Sequence, residues 1–71
     1  MGTDFSYQII QPLGELSRNG DYTVEANIIS FNCGPPKLDI RKWDRGAGRM
    51  QKGIALNPEE QARLKEILFG I

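Results

Sequence analysis

The sequence predicts an α+β fold, a four-stranded antiparallel β-meander followed by one C-terminal α-helix (ββββα). Three observations carry that prediction. An Asn19-Gly20 pair separates two β-prone segments, the strongest short-range hairpin signal. From Lys37 to Trp43 the chain alternates, with Leu38 and Ile40 on one side and Lys37, Asp39, Arg41 and Trp43 on the other, as a strand with two unlike faces does. Finally, Asn57-Pro58-Glu59-Glu60 opens a segment with Leu64, Ile67, Leu68 and Ile71 on one helical stripe.

Taken in order, the first strand begins at Tyr7-Gln8-Ile9-Ile10-Gln11, and Pro12 and Gly14 point to a bulge or an edge position before Leu16. After the Asn19-Gly20 turn, a second strand runs from Tyr22 to about Phe31. Val24, Ala26 and Ile28 form its apolar side and Thr23, Glu25 and Asn27 its polar side, which Ile29 and Phe31 then make apolar. Asn32-Cys33-Gly34-Pro35-Pro36 cannot continue a ladder, because two prolines lack donors and glycine favours a turn. The third strand is Lys37 to Trp43, followed by the glycine-rich connection Arg45-Gly46-Ala47-Gly48-Arg49 and a fourth strand from Met50 to Leu56. Regular alternation there would bury Lys52 with Ile54 and Leu56, and a bulge at Gly53 would turn Lys52 outward. At the helix start Asn57 is a good N-cap, Pro58 is free of cost at the first helical position, and Glu60 completes a capping box. The helix is expected to lie over Leu38 and Ile40.

The 71 residues read as one domain, 1–71. A chain near this size buries only about 60% of the surface its unfolded form exposes, so self-association is the natural remedy, with Leu64, Ile67, Leu68 and Ile71 as the dimer interface. One cysteine, Cys33, allows no internal disulfide, and with no histidine a structural zinc site lacks its ligands. No apolar run approaches the roughly 20 residues that cross a bilayer. Met1-Gly2-Thr3-Asp4 has no basic region leading into an apolar stretch. These features fit a cytoplasmic protein, nucleoid-associated if it binds DNA.

The net charge of zero hides a polarised molecule. Residues 1–36 set Arg18 against Asp4, Glu15, Asp21 and Glu25, a balance of −3. Residues 37–56 set Lys37, Arg41, Lys42, Arg45, Arg49 and Lys52 against Asp39 and Asp44, a balance of +4. A cationic surface interleaved with aromatics is the footprint of a nucleic-acid binder. With the helix over Leu38 and Ile40, the opposite face offers Lys37, Arg41 and Trp43, joined by Phe31 from the second strand. Base stacking contributes about 1 to 3 kcal/mol per base, and such a face suits single strands, whose bases are free to splay. The plainer reading of Trp43 and Phe31 is a core or dimer-interface role, and of Lys37 and Arg41 a solvated face. Arg45 and Arg49 form either a flexible phosphate clamp or an exposed turn. On the stacking reading, truncating Trp43 weakens binding without unfolding the protein.

Catalysis is disfavoured, since the usual general base and nucleophile pairs are missing. Asp39 and Asp44 flank Arg41 and read as its charge partners. No cofactor, metal or small-molecule substrate is expected.

From Leu38 onward the chain resembles the single-stranded-DNA-binding domain of the transcriptional positive cofactor four family of coactivators. The residues that carry the resemblance are Leu38-Asp39-Ile40-Arg41-Lys42-Trp43, then Lys52-Gly53-Ile54-Ala55-Leu56-Asn57-Pro58-Glu59-Glu60, then Leu64-Lys65. Its length and extra N-terminal strand look like the small bacterial members called YdbC-type proteins. The resemblance implies a homodimer whose sheets face a single strand and whose helices pack at the subunit interface. It also implies contacts to the strand from Arg41, Trp43 and Lys52, with Phe31 a looser transfer. Two departures stand out: Gln51 replaces a family basic residue, and Trp43 is followed by Asp44 in place of a second aromatic. The expectation is a dimeric binder of single-stranded DNA with little sequence preference, serving transcription regulation, replication or repair. An RNA-binding module is the alternative within that class, and a protein-interaction domain using the Trp43 face is the alternative outside it.

Overall fold

The computed structural model describes residues 5–71. Met1-Gly2-Thr3-Asp4, on which the leader reading rests, lies outside the described residues. The elements are β1 (Tyr7–Asn19), β2 (Tyr22–Phe31), β3 (Pro36–Asp44), β4 (Arg49–Leu56) and α1 (Pro58–Phe69). The four strands form one sheet in the order β1-β2-β3-β4, every neighbouring pair antiparallel. This is the expected meander with its C-terminal helix.

β1 continues through Pro12 and Gly14 to the hairpin because, as expected, it is an edge strand and bulges there. Its register against β2 shifts between Ile9 and Gln11, Pro12 and Gly14, and Glu15 and Ser17. The shifts leave Ile10, Leu13 and Leu16 without a partner across the ladder. Each bulge bends the strand and adds right-handed twist. The turn to β2 is Gly20-Asp21, flanked by the Asn19–Tyr22 pair, and Gly20 has φ 64°, the glycine-first arrangement of a II′ hairpin. Between β2 and β3, Asn32 and Cys33 are both left-handed at φ 51° and 61°. Asn32 secures the start of β1: its N–H donates to the Ser6 carbonyl at 2.8 Å and its Oδ1 accepts from the Ser6 N–H at 2.9 Å.

β4 contains the anticipated irregularity. Arg41 pairs with Gly53 and Trp43 with Met50, so β4 holds one extra residue between them and Lys52 is exposed. Gly53 is fixed by contact: a Cβ there would lie 1.9 Å from Arg41 Cβ and 2.6 Å from its Cα. The helix start is a complete capping box, with Asn57 Oδ1 accepting from the Glu60 N–H at 2.8 Å and Glu60 Oε1 from the Asn57 N–H at 2.9 Å.

Burial departs from expectation. α1 rests mainly on β3 and β4 and contributes no buried residue. Leu38 and Ile40, expected beneath it, are half-buried. The apolar face, which also carries Val24, Ala26, Ile28, Ile54 and Leu56, is open. The covered face is the other one, where Thr23, Glu25, Asn27, Ile29, Asp39 and Trp43 are all buried. Its long side chains lie across the strands and cover one another, so the polar side of a single-layer sheet becomes the core of the chain.

Candidate nucleic-acid interface

The buried face is assembled by register. Thr23 pairs with Trp43, Glu25 with Arg41, Asn27 with Asp39 and Ile29 with Lys37. Tyr7 pairs with Phe31 and Ile9 with Ile29 from β1, and Met50 pairs with Trp43 from β4. Cross-strand partners share a face. Phe31, Lys37, Arg41 and Trp43 therefore do lie together, opposite Leu38 and Ile40.

Two carboxylates underlie this face, each gripped by an arginine. Asp39 is completely buried and accepts from Arg41 Nε at 2.7 Å and Nη2 at 2.6 Å. Arg41 Nη1 reaches across Gly53 to the Gln51 carbonyl at 3.2 Å, and its guanidinium lies 5.6 Å from the Phe31 ring centroid. Glu25 accepts from Arg45 Nε at 2.8 Å and also from Arg45 Nη2 and the Thr23 hydroxyl. Bidentate charge-assisted bonds of this kind are the strong ones. The Arg45 hydrogen bond, followed by that from Thr23, outweighs burial and holds the Glu25 carboxyl down at about 2. Hydrogen bonding to Asp39 raises Arg41, and hydrogen bonding to Glu25 raises Arg45.

The Trp43 expectation needs correction. Its parity is as expected, but it is not solvated: its exposure is 0%. Arg45 folds back so that its guanidinium sits 4.4 Å from the Trp43 ring centroid. Tyr7 covers the indole from β1, with centroids 5.8 Å apart and planes at 60°. Trp43 Nε1 and Asn27 Nδ2 are buried without a hydrogen-bond partner, an arrangement native interiors mostly avoid.

The remaining candidates divide. Lys37 is half-buried on this face. Arg45 joins it from the loop after β3, as a partner of Glu25 rather than a free clamp. Arg49 and Lys52 are exposed on β4 and stand apart from the aromatic cluster, Arg49 pairing across the ladder with Asp44. Asp44 is not a partner of Arg41; its carboxylate accepts from the Ala47 N–H at 3.1 Å. Sequence reasoning missed Phe5, Tyr7 and Glu25. Phe5 lies 6.3 Å from Tyr7 and 6.2 Å from Phe31 between ring centroids. Among the described residues no three His, Cys, Asp or Glu side chains group as metal ligands. No helix among them is long and apolar enough to cross a membrane.

Fold and face together define a class: a small antiparallel meander whose aromatic and guanidinium face is left uncovered by its C-terminal helix. The chain belongs to the Transcriptional Coactivator p15 (PC4) family, whose model matches residues 19–67, more than half its length. That is a family of single-stranded-DNA-binding, non-catalytic coactivator domains. The chain is also similar to an uncharacterized protein of Treponema pallidum (strain Nichols), 36% identical over 66 residues that cover 92% of this chain and 78% of the relative.

Proposed function

We propose that the chain is a non-enzymatic homodimer that binds single-stranded DNA with little sequence preference, in the cytoplasm or on the nucleoid, during transcription regulation, replication or repair. The observation that carries this reading is the juxtaposition of Phe31, Lys37, Arg41, Trp43 and Arg45 on one sheet face, in a chain of a single-strand-binding family. Arg41 and Arg45 present guanidinium planes over aromatic rings, a surface that receives splayed bases and phosphates together. Trp43 forms the floor of this surface. Lys37 supplies a phosphate contact on this face, and Arg49 and Lys52, which stand apart on β4, extend the cationic surface beyond it; none of the three has an ion-pair partner among the described residues.

The dimer rests on the open apolar face. Ile54 and Leu56 on β4 continue into Leu64, Ile67 and Leu68 on α1; Ile71, expected on the same helical stripe, lies beyond the helix, which ends at Phe69 and is capped by Gly70, and Phe69 and Ile71 are 93% and 96% exposed. Exposed patches of this kind mark association surfaces, and a two-fold axis would cover the same patch on both copies. It would also leave the aromatic face free. Light scattering should report twice the 8.0 kDa chain mass, and a monomer at micromolar concentration would remove the dimer. Competition of one labelled single strand against unlabelled single-stranded DNA, duplex and RNA of the same sequence tests the ligand. Single-stranded DNA should compete best. Equal competition by duplex would overturn the reading, and stronger competition by RNA would make the protein an RNA binder.

A further inference from the structure

We infer that the bases stack on Phe5, Tyr7 and Phe31, so that the start of β1 supplies the stacking platform and Trp43 is a positioning residue beneath it. The inference rests on the single-strand-binding reading and deepens it. Trp43 offers no ring face, because Tyr7 and Arg45 cover it. On this face the aromatic surface that reaches solvent is Phe5, 61% exposed, and Tyr7, 39% exposed, with Phe31 beside them. These rings are held in place. The Tyr7–Phe31 pair fixes their register, and the two hydrogen bonds between Asn32 and Ser6 tie the residue between Phe5 and Tyr7 to the end of β2.

Charge selects the occupant. Arg41 lies over Phe31 and Arg45 beside Tyr7 on Trp43, with Lys37 across from Ile29 on the same face. Two carboxylates of this face, Asp39 and Glu25, are buried and already bonded, and the third, Glu15 across from Glu25, is exposed but paired with Arg18 toward the hairpin end. Around Phe5, Tyr7 and Phe31 what faces outward is aromatic and cationic, which suits bases carrying phosphates and opposes a second copy of the same cations.

Labelled oligothymidine, and an abasic strand of equal length and charge, titrated with the parent, Phe5→Ala, Tyr7→Ala and Tyr7→Phe proteins, test this. Each alanine variant should bind oligothymidine about 5- to 150-fold more weakly, the effect of losing one stacked base. Binding to the abasic strand should be unchanged, and Tyr7→Phe should match the parent. If Tyr7→Ala melts, Phe5→Ala, whose ring is mostly exposed, decides the matter. Parent-like binding of oligothymidine by Phe5→Ala and Tyr7→Ala overturns the platform while leaving the single-strand reading intact. Equal losses on both strands also overturn it, since the rings would then act through the fold. A parent that binds neither strand overturns the functional reading itself.

Discussion

Replacing Trp43 by alanine empties the most enclosed aromatic site among the described residues. The side chain is fully buried, faces Thr23 and Met50 across the two ladders and is capped by Tyr7 and Arg45. Truncating a core Trp costs about 3 to 5 kcal/mol. Here the truncation also removes a buried indole N–H that lacks a partner, and leaving such a donor unsatisfied costs about 1 to 3 kcal/mol. The expected loss is therefore near the lower end, about 3 kcal/mol. For a domain of this size each kcal/mol shifts the melting temperature by about 4 to 8 °C, so the variant should melt roughly 12 to 24 °C below the parent. Thermal denaturation followed by circular dichroism, at one fixed protein concentration because dimerisation would raise Tm with concentration, measures this. Trp43→Phe keeps a ring and loses the orphan donor, and should stay within about 5 °C of the parent. A Trp43→Ala protein that melts less than about 4 °C below the parent would refute the burial argument and restore the solvated-tryptophan expectation.

Acid should unlock the Glu25 pair. Its folded carboxyl titrates near 2 against an ordinary 4.5, so its contribution is complete above about pH 5 and disappears as pH falls toward 2. At about 1.4 kcal/mol per tenfold in proton affinity, and discounted because Arg45 is partly exposed, the loss is about 2 to 3 kcal/mol. Denaturant melts across pH 2–6 should show this slope, and Glu25→Gln should flatten it. Gly53→Ala should destabilise by at least about 1 to 3 kcal/mol, because its Cβ would meet Arg41 Cβ at 1.9 Å; an unchanged urea midpoint would show that β4 can move aside. Asn57→Ala removes one side of the capping box and should cost about 0.5 to 2 kcal/mol, read from the same titration. Arg63→Ala, breaking only an exposed pair with Glu66, should change stability by less than about 0.5 kcal/mol.

How far the molecule was legible differs from one element to the next. The helix start was readable because Asn57, Pro58 and Glu60 act through bonds within one turn, and the parity of β3 was readable because side chains alternate strictly along a strand. Alternation separates two faces without saying which is covered. In β2 and β3 the polar face covers itself, since Arg41 and Arg45 lie flat on Asp39 and Glu25, while the aliphatic face stays open. A distant pair such as Glu25 and Arg45 leaves no local signal. Tyr7 was missed for another reason. Near the hairpin, partner numbers add to 41, as in Asn19–Tyr22, and this rule would place Ile10 opposite Phe31; the three bulges reduce the total to 38 and bring Tyr7 there instead. Pro12 and Gly14 marked one of those irregularities, and nothing in the residue pattern marked the others.

The central claim, that an aromatic and cationic sheet face binds single strands, is tested most directly by titrating labelled oligothymidine with the parent protein at two salt concentrations, alongside the matching duplex. Each neutralised phosphate on a single strand contributes a slope of about −0.7 in log affinity against log salt. Lys37, Arg49 and Lys52 from both copies of a dimer then give a total near −4, and recruitment of Arg41 or Arg45 away from its carboxylate moves it toward about −6. The account predicts a slope in that range and clear preference for the single strand. A flat salt response, or equal affinity for the duplex, would contradict it.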